Sequence, residues 1–392
     1  MLNTSLSPWP AYSEEEAQAA ARVIASGHVN YWTGEEGRAF EREFASWVGS
    51  HHAVSVSNGT LALDLALRGL GIGPGDEVIV TPRTFIASIS CVVTAGATPV
   101  FADVDRDSGN ISPETIAAVL TDRTRAIIPV HLAGWPADML GIMALAGPRN
   151  IKVIEDCAQA HGAAIDSRMV GSFGDAGAWS FCQDKIMTTG GEGGMVTTDD
   201  PELWSRMWSY KDHGKSWEAV YRREHPPGFR WLHESFGTNW RMLEVQAAIG
   251  RIQLGRMAAW TARRTEIATR LTEMLEAFPG AIRIPRPVGM QHAYYRLYAY
   301  VCPEGLRPDW DRDRIVAEVV SRGVPLYQGS CSEVYLEKAF DGTPWRPAQR
   351  LPNALQLGET SLMFLTHPTL CDEEVERVCE IVAHVLKDAA AD

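Results

Sequence analysis

The sequence of 392 residues has few cysteines, little basic charge and no long apolar run. Its seven cysteines are scattered, with no C-x-x-C pair and no cluster of cysteine and histidine, which argues against a disulfide scaffold and a zinc module. Only 36 Lys and Arg residues stand against 49 Asp and Glu residues, and a net charge of −13 disfavours binding to nucleic acid or to an anionic membrane. We therefore expect no metal site and no nucleic-acid partner.

Two further absences concern membranes and targeting. No apolar run reaches the length that spans a bilayer, and the first ten residues lack the basic and apolar segments of a signal peptide. The sequence thus predicts a cytoplasmic protein without a membrane partner. Its 45% hydrophobic and 22% charged residues are typical of globular proteins and exclude a disordered, collagen-like or coiled-coil chain.

Between residues 52 and 200, short β-branched runs alternate with segments of helical character. This alternation predicts an α/β fold with a mostly parallel central sheet and helices on both faces. A helix is predicted to begin at Ser13, because Ser13 and Glu16 form a capping-box pattern. The seven predicted strands are 53–56, 78–81, 99–102, 126–130, 153–155, 178–181 and 195–198.

The remainder of the chain divides into three parts. Residues 201–238 are polar and aromatic, and their apolar residues show no clear periodicity. This predicts a long irregular excursion from the regular structure, and excursions of this length often have a function. Apolar residues then recur at helical spacing over about 243–278, which predicts one long helix or two abutting helices. Mixed strand and helix patterns follow. We therefore predict a large domain at 1–255 and a smaller α+β domain at 256–392, joined through the long helix.

Lys185 is the first candidate for chemistry. It lies at the end of a predicted strand and precedes a loop with four glycines, where the backbone can approach a bound group closely. Such a position suits a lysine that forms a Schiff base. An isolated lysine is more often a solvated surface charge, so its neighbours must decide between the two interpretations.

Asp156 and the turn at 57–60 are the next candidates. Asp156 ends an apolar strand, at the sheet edge where α/β proteins bind ligands, and would suit a positively charged ring nitrogen. A helix N-cap is the alternative. The turn joins a strand to a helix, so its free amides and the Thr60 hydroxyl would suit a phosphate, although such junctions are common.

Two further segments contain weaker candidates. Phe85 follows the strand at 78–81 and would stack on a flat ring, although packing is the usual role of phenylalanine. Asn239 and Arg241 precede the long helix. Asn239 would cap that helix, and Arg241 would be either a surface charge or a partner for carboxylate or phosphate.

Taken in this order, the motifs resemble those of the DegT/StrS-type sugar aminotransferases, which are pyridoxal 5′-phosphate (PLP) enzymes of fold type I, the aspartate aminotransferase fold. The resemblance extends from about Gly27 to about Cys371. The motifs that carry it are Ser57-Asn-Gly59-Thr60, Leu70-Gly-Ile-Gly-Pro-Gly-Asp-Glu, Thr84-Phe85, Pro129-Val-His131-Leu, Glu155-Asp156-x-x-Gln159-x-His161-Gly, Ser180 to Lys185 with the glycine loop behind it, and Gly237-x-Asn239-x-Arg241.

The resemblance implies a role for each matching residue. Lys185 would bond covalently to PLP, Asp156 would contact the pyridine nitrogen, and Phe85 would stack on the ring. Gln159 would lie near the phenolic oxygen. The phosphate would be held by Gly59, Thr60, Ser180 and, from the neighbouring subunit, Asn239. An obligate homodimer with shared active sites follows from this family pattern.

The resemblance also implies the reaction. An amino group would pass from glutamate or glutamine, through the PMP form of the cofactor, to a nucleotide-linked keto-deoxysugar or, alternatively, to a keto-cyclitol. Some family members carry histidine in place of the lysine and dehydrate deoxysugars, so Lys185 favours transamination. A lyase of the same fold and a non-catalytic regulator are less favoured. We expect cationic surroundings to lower the pKa of Lys185. Candidate substrate contacts are Lys215, Arg230, Arg241 and His161, for which a packed histidine is the alternative.

Overall fold

The computed structural model describes residues 6–391, so residues 1–5 and 392 of the two predicted domain ranges lie outside the described part. Its strands are β1 His52–Val56, β2 Glu77–Val80, β3 Thr98–Phe101, β4 Thr124–Ile128, β5 Lys152–Asp156, β6 Ala164–Ile165, β7 Arg168–Met169, β8 Ala176–Ser180, β9 Gly194–Thr198, β10 Ile282–Arg283, β11 Met290–Gln291, β12 Arg296–Val301 and β13 Ser361–Leu365. Its α-helices are α1 Glu14–Ser26, α2 Glu36–Val48, α3 Gly59–Gly69, α4 Ala87–Thr94, α5 Pro113–Ala117, α6 Met139–Ala146, α7 Pro201–Lys211, α8 Trp217–Tyr221, α9 Glu244–Leu275, α10 Arg312–Ser321, α11 Pro352–Thr360 and α12 Asp372–Ala389.

The central sheet has seven strands in the order β1-β9-β8-β5-β4-β2-β3. The pairs from β8 through β5, β4 and β2 to β3 are parallel, whereas β9 runs antiparallel to both β8 and β1. Strands β2 and β8 are buried along their whole length, as expected for a sheet covered on both faces. The predicted α/β fold is confirmed, and each of the seven predicted strands lies within two residues of an observed one.

The amino-terminal and central helices follow from local sequence signals. The Glu16 carboxylate accepts a hydrogen bond from the Ser13 amide at 2.6 Å, as the capping-box pattern predicts. The predicted helix at about 243–278 is one continuous helix, α9. Gly250 lies inside α9, where a Cβ would be 2.7 Å from the Phe40 ring. Glycine at this position therefore permits close packing of α9 against α2.

The prediction of an irregular excursion over 201–238 is wrong in part, because α7 and α8 lie within it. Asp200 caps α7, and Pro201 occupies its first turn. Leu203, Met207 and Trp208 bury one face of α7, but the helix is too short to give a clear period. The residues from 222 to the start of α9 contain no α-helix or named strand in the described structure.

A second hydrophobic core lies against the carboxyl-terminal half of α9. Strands β10, β12 and β13 form an antiparallel sheet that packs with α10 and α12 around this core. Val334 and Tyr335, however, join the core of the central sheet. The boundary between 255 and 256 stays a prediction. No helix within residues 6–391 is both long and apolar enough to cross a bilayer.

Candidate active site

A cavity of about 630 Å³ lies at the carboxyl ends of β5 and β8 and at the start of α3. It adjoins a cleft of about 660 Å³, and Thr84, Phe85, Gln159, Asp184 and Lys185 line both. The far wall of the cleft comes from four separate segments, within 7–10, 295–296, 329–337 and 363–367. Most of the predicted cofactor residues therefore meet at one place.

Asp156 ends β5 with its carboxylate facing the cavity and only 5% of the residue exposed. Its oxygens accept hydrogen bonds from the Ser88 hydroxyl at 2.8 Å and the Ala158 amide at 3.1 Å. The N-cap alternative is wrong, because no helix follows β5 directly. Burial raises the pKa of Asp156 above its ordinary value, although Ser88, Ala158 and Lys185 act in the opposite direction. Because burial disfavours the charged form of this carboxylate, a cationic ligand beside it would be stabilising.

Glu155, the preceding residue, has a structural role. Its carboxylate is fully buried and accepts hydrogen bonds from three backbone amides of the 171–174 turn at 2.7 to 2.8 Å. It also contacts Nε2 of His131 at 3.1 Å. Because the Ala137 amide donates to Nδ1 of His131, the proton of that ring lies on Nε2 and points at Glu155. These bonds hold the 171–174 turn against the end of β5.

The start of α3 forms an anion cradle. The side chain of Asn58 accepts from the Leu61 amide at 3.0 Å, while the amides of Gly59 and Thr60 have no acceptor within the helix. A Cβ on Gly59 would lie 2.5 Å from Cβ of Ser180, so only glycine allows α3 to approach the end of β8 this closely. The free amides and the positive end of the helix suit a phosphate group.

Lys185 lies in the turn after β8, with 16% of its side chain exposed. Its Nζ lies 3.9 Å from Oδ1 of Asp184 and 5.4 Å from the centroid of the Tyr295 ring. The Tyr295 hydroxyl donates to the other oxygen of Asp184 at 2.6 Å. The backbone oxygen of Lys185 accepts from Nε1 of Trp9 at 2.9 Å. The amine therefore lies at the junction of cavity and cleft, against a carboxylate that is itself held in place.

The electrostatics around Lys185 correct one expectation. Burial lowers the pKa of Lys185, but Tyr295, Asp184 and Asp156 raise it, and the result lies above the ordinary value. The expected decrease is therefore wrong for the protein itself, because the groups closest to the amine are acidic. Burial also raises the pKa of Asp184, but Lys185 and Tyr295 bring it below its ordinary value. The two residues stabilise one another as an ion pair.

Asp184→Asn is expected to lower the pKa of Lys185, because it removes one of the acidic groups that raise it. Only a neutral amine attacks a carbonyl, so Lys185 should react with formaldehyde and borohydride from a lower pH in the variant. Peptide mapping of the labelled protein measures this, with the exposed Lys338 as internal control. An unchanged pH dependence at Lys185 would contradict the prediction.

Phe85 and Gln159 complete the cavity wall. Phe85 is 70% exposed, so packing does not account for it and its ring face is available for stacking. The Gln159 oxygen accepts from the Ala133 amide at 2.7 Å, which leaves the NH₂ group able to donate into the cavity.

His161 needs a correction, because the structure does not place it on the cavity or the cleft. It is fully buried among the rings of Phe44, Trp179 and Phe181. Burial lowers its pKa to about 3, and the positive charge of Lys185 adds to this. The alternative of a packed, neutral histidine is the one the structure supports.

The other predicted substrate residues, and the predicted phosphate contact Asn239, lie apart from the cavity of their own chain. Lys215 and Arg241 both bind the buried carboxylate of Asp212, at 3.2 and 2.7 Å. Asn239 is exposed and pairs with Asp212 through the backbone, and Arg230 is exposed. Within one chain these residues are not brought to Lys185, so a role in the site requires a second subunit.

Sequence reasoning missed Ser88, Asp184, Tyr295 and Arg296. Asp184 is adjacent to Lys185 and Ser88 lies four residues after Thr84, whose hydroxyl it contacts at 2.9 Å, so local spacing was a usable signal for both. Tyr295 and Arg296 come from β12 and the residue before it, more than 100 positions away. Only the folded chain brings them to Lys185.

Comparison with known proteins gives a consistent result. The family model of the DegT/DnrJ/EryC1/StrS aminotransferase family matches residues 10–383. The chain is 36% identical to the spore coat polysaccharide biosynthesis protein SpsC of Bacillus subtilis (strain 168), over 97% of this chain and 96% of that protein. It is also 36% identical to the dTDP-3-amino-3,4,6-trideoxy-alpha-D-glucose transaminase of Streptomyces venezuelae, over 95% and 93% of the two chains.

Among solved structures, the aminotransferase from Psychrobacter cryohalolentis superimposes with a TM-score of 0.97 at 61% identity, covering 98% of this chain and 99% of that one. Family match, sequence identity and fold agree over nearly the whole length. The chain belongs to the DegT/DnrJ/EryC1/StrS aminotransferase family.

Proposed function

We propose that this protein is a PLP-dependent aminotransferase that moves an amino group from glutamate or glutamine to a nucleotide-linked keto-deoxysugar. The observation that carries the proposal is the meeting of Lys185, Asp156 and the anion cradle of α3 on one cavity of about 630 Å³. The Streptomyces venezuelae relative has a dTDP-linked amino sugar in its name, which supports a nucleotide-linked acceptor.

The residues of the cavity fit PLP at each of its functional groups. The cradle of α3 offers amides and the Thr60 hydroxyl to the phosphate, and the Ser180 hydroxyl lies beside it. The buried carboxylate of Asp156 suits a protonated pyridine nitrogen. Phe85 presents an exposed ring for stacking. Lys185 supplies the amine for the carbonyl carbon, so one chain offers a partner to each of these four features of PLP.

Bound PLP would supply an electron sink for the pair released at the substrate carbon. Asp156 would hold a proton on the ring nitrogen by remaining ionised beneath it. Lys185 would anchor the cofactor, leave it when the amino donor arrives, and then carry a proton as a neutral amine. Asp184, 3.9 Å from Nζ, would hold the free amine in place between these steps.

Spectroscopy of the purified protein tests this proposal. Protein saturated with PLP should be yellow, and L-glutamate or L-glutamine should shift the absorbance of the cofactor as PMP forms. Mass spectrometry of reactions with nucleotide-linked keto-sugars and with inososes then identifies the acceptor and separates the proposal from the keto-cyclitol alternative. A colourless protein, or one whose spectrum no amino acid changes, would refute the proposed function.

We also propose that the protein is a homodimer in which Asn239 of each subunit completes the other subunit's phosphate site. Exposed apolar side chains support this. Phe229, Trp231 and Phe236, in the segment before Asn239, are 78, 82 and 100% exposed. Apolar side chains concentrated on one surface segment mark an interaction surface. The exposed position of Asn239, away from the cavity of its own chain, is consistent with a contact across such an interface.

Mixing two inactive variants tests the shared site. Lys185→Ala and Asn239→Ala should each be strongly impaired, but a heterodimer of the two holds one site with both residues intact. Co-refolding equal amounts should therefore restore about a quarter of the wild-type activity, since half of the dimers are mixed and each has one complete site. Activity no greater than that of the two variants measured apart would show that each chain builds its own site.

A further inference from the structure

The indole of Trp9 lies in the cleft and holds the backbone of Lys185. Its Nε1 donates to the backbone oxygen of Lys185 at 2.9 Å, although the two residues are far apart in the sequence. The amide of Lys185 donates in turn to the backbone oxygen of Cys182 at 3.0 Å. Both polar groups of the Lys185 backbone are therefore bonded, one within the turn after β8 and the other to a side chain from the amino-terminal segment.

Packing fixes the direction of this indole. The ring of Trp260 lies edge-on to the Trp9 ring at a centroid distance of 5.2 Å, and the His367 ring is stacked on it at 6.2 Å with 16° between the planes. The guanidinium carbon of Arg264 lies 5.2 Å from the centroid of the Trp9 ring. The surrounding groups therefore aim the indole N–H at its acceptor, and the hydrogen bond requires little further ordering of the side chain.

The amino-terminal segment that carries the indole is itself anchored. The Glu374 carboxylate accepts hydrogen bonds from the amide and the hydroxyl of Ser7 at 2.6 and 3.0 Å. The Thr369 hydroxyl donates to the backbone oxygen of Pro8 at 2.9 Å. Thr369 and Glu374 lie on either side of the start of α12, whose buried face belongs to the second hydrophobic core. The indole therefore joins this core to the turn after β8.

We propose that Trp9 is a positioning residue for Lys185, because its bond to the Lys185 carbonyl fixes the backbone from which the reactive amine extends. The proposal rests on the proposed function, in which that amine first anchors the cofactor and then moves a proton. A lysine side chain is a flexible four-carbon stem, so Nζ returns to one place only if its backbone is fixed. Asp184 and Tyr295 confine the far end, with Nζ 3.9 Å from Oδ1 and 5.4 Å from the ring centroid.

Packing alone is the other role open to Trp9, so the test must remove the N–H group and keep the ring. Replacement of Trp9 by benzothienylalanine exchanges the indole N–H for sulfur at nearly the same shape, and Trp9→Phe removes the same bond with a natural residue. Trp310→Phe is the matched control. Trp310 also lies under an arginine, with the guanidinium carbon of Arg314 4.3 Å from its ring centroid, and it is not among the described residues that line the cleft.

Protein without PLP gives the first measurement. Formaldehyde and borohydride should label Lys185 faster in both Trp9 variants, relative to the exposed Lys338, because the amine is less confined against Asp184. Bond formation between Lys185 and added PLP, trapped by borohydride at timed intervals, should instead slow by about 3- to 10-fold, the effect of losing one hydrogen bond. The kcat of the holoprotein should fall by a similar factor, while KM for the amino donor stays within about twofold of the wild-type value.

Trp310→Phe should match the wild type in all three measurements, and the benzothienylalanine protein should unfold at nearly the wild-type urea concentration. Unchanged formaldehyde labelling and unchanged PLP bond formation in the benzothienylalanine protein would assign Trp9 to packing and overturn the proposal. A rise in KM with an unchanged kcat would also overturn it, because it would indicate a contact with the substrate instead. A wild-type protein in which borohydride traps no PLP on Lys185 would refute the proposed function, and the formaldehyde labelling would still test the bond from Trp9.

Discussion

Lys185→Ala is expected to abolish amino transfer while the fold and the free energy of unfolding stay close to those of the wild type. The amine is needed twice, as the covalent anchor of the cofactor and as the group that moves the proton. Among residues 6–391, no other lysine lines the cavity or the cleft. Its own contribution to stability is small, because its one ion pair is long at 3.9 Å.

Turnover, far-ultraviolet circular dichroism and urea unfolding measure these effects, with Lys338→Ala as a control at an exposed lysine. Borohydride reduction of the wild-type holoprotein, followed by peptide mapping, should place the label on Lys185. Residual transamination in Lys185→Ala, or a label on another residue, would remove the basis of the proposed function.

Asp156→Asn is expected to slow the reaction by orders of magnitude, on the order of several kcal/mol in activation free energy, with a smaller loss of PLP affinity. The amide cannot keep the ring nitrogen protonated, so the negative charge released at the substrate carbon is poorly stabilised. Single-turnover rates and PLP titration separate the two effects. A rate near that of the wild type would show that Asp156 acts only as a hydrogen-bond acceptor for Ser88 and Ala158.

The neighbouring carboxylate provides a matched contrast. Glu155→Gln removes the charge that accepts from the 171–174 amides, and it should destabilise the protein by about 3 kcal/mol. The residual folded enzyme should retain a near-normal limiting rate. The two substitutions are isosteric and adjacent, so opposite effects on rate and on stability would separate chemistry from folding at this strand end.

The sequence permitted a good prediction of the central sheet because its strands are short β-branched runs that are buried on both faces. Asp156, Gly59 and Lys185 were identifiable for a related reason. Each lies at a strand end or at the helix start that follows a strand, and the carboxyl ends of parallel strands converge on one edge. Local sequence pattern and sheet topology together therefore locate the part of the cavity that these residues line.

Other features depend on contacts that local patterns do not encode. Tyr295 and Arg296 reach Lys185 only because β12 packs beside the cleft, and Trp9 does so from the amino-terminal segment. The expectation for the Lys185 pKa was wrong because the acidic neighbours Asp184 and Tyr295 were not recognised. His161 fits the motif, but the aromatic rings around it decide its role.

The composition of the cleft has a consequence for protein engineering. The side that would hold the cofactor is built on the rigid edge of the sheet, whereas the opposite side is assembled from four short stretches that are far apart in the chain. Libraries that randomise positions 330 and 331 would therefore reshape this opposite side, whereas Gly329 must be kept because a Cβ there would lie 2.4 Å from the Tyr298 ring. Substrate scope and coenzyme chemistry can diversify separately in such a scaffold.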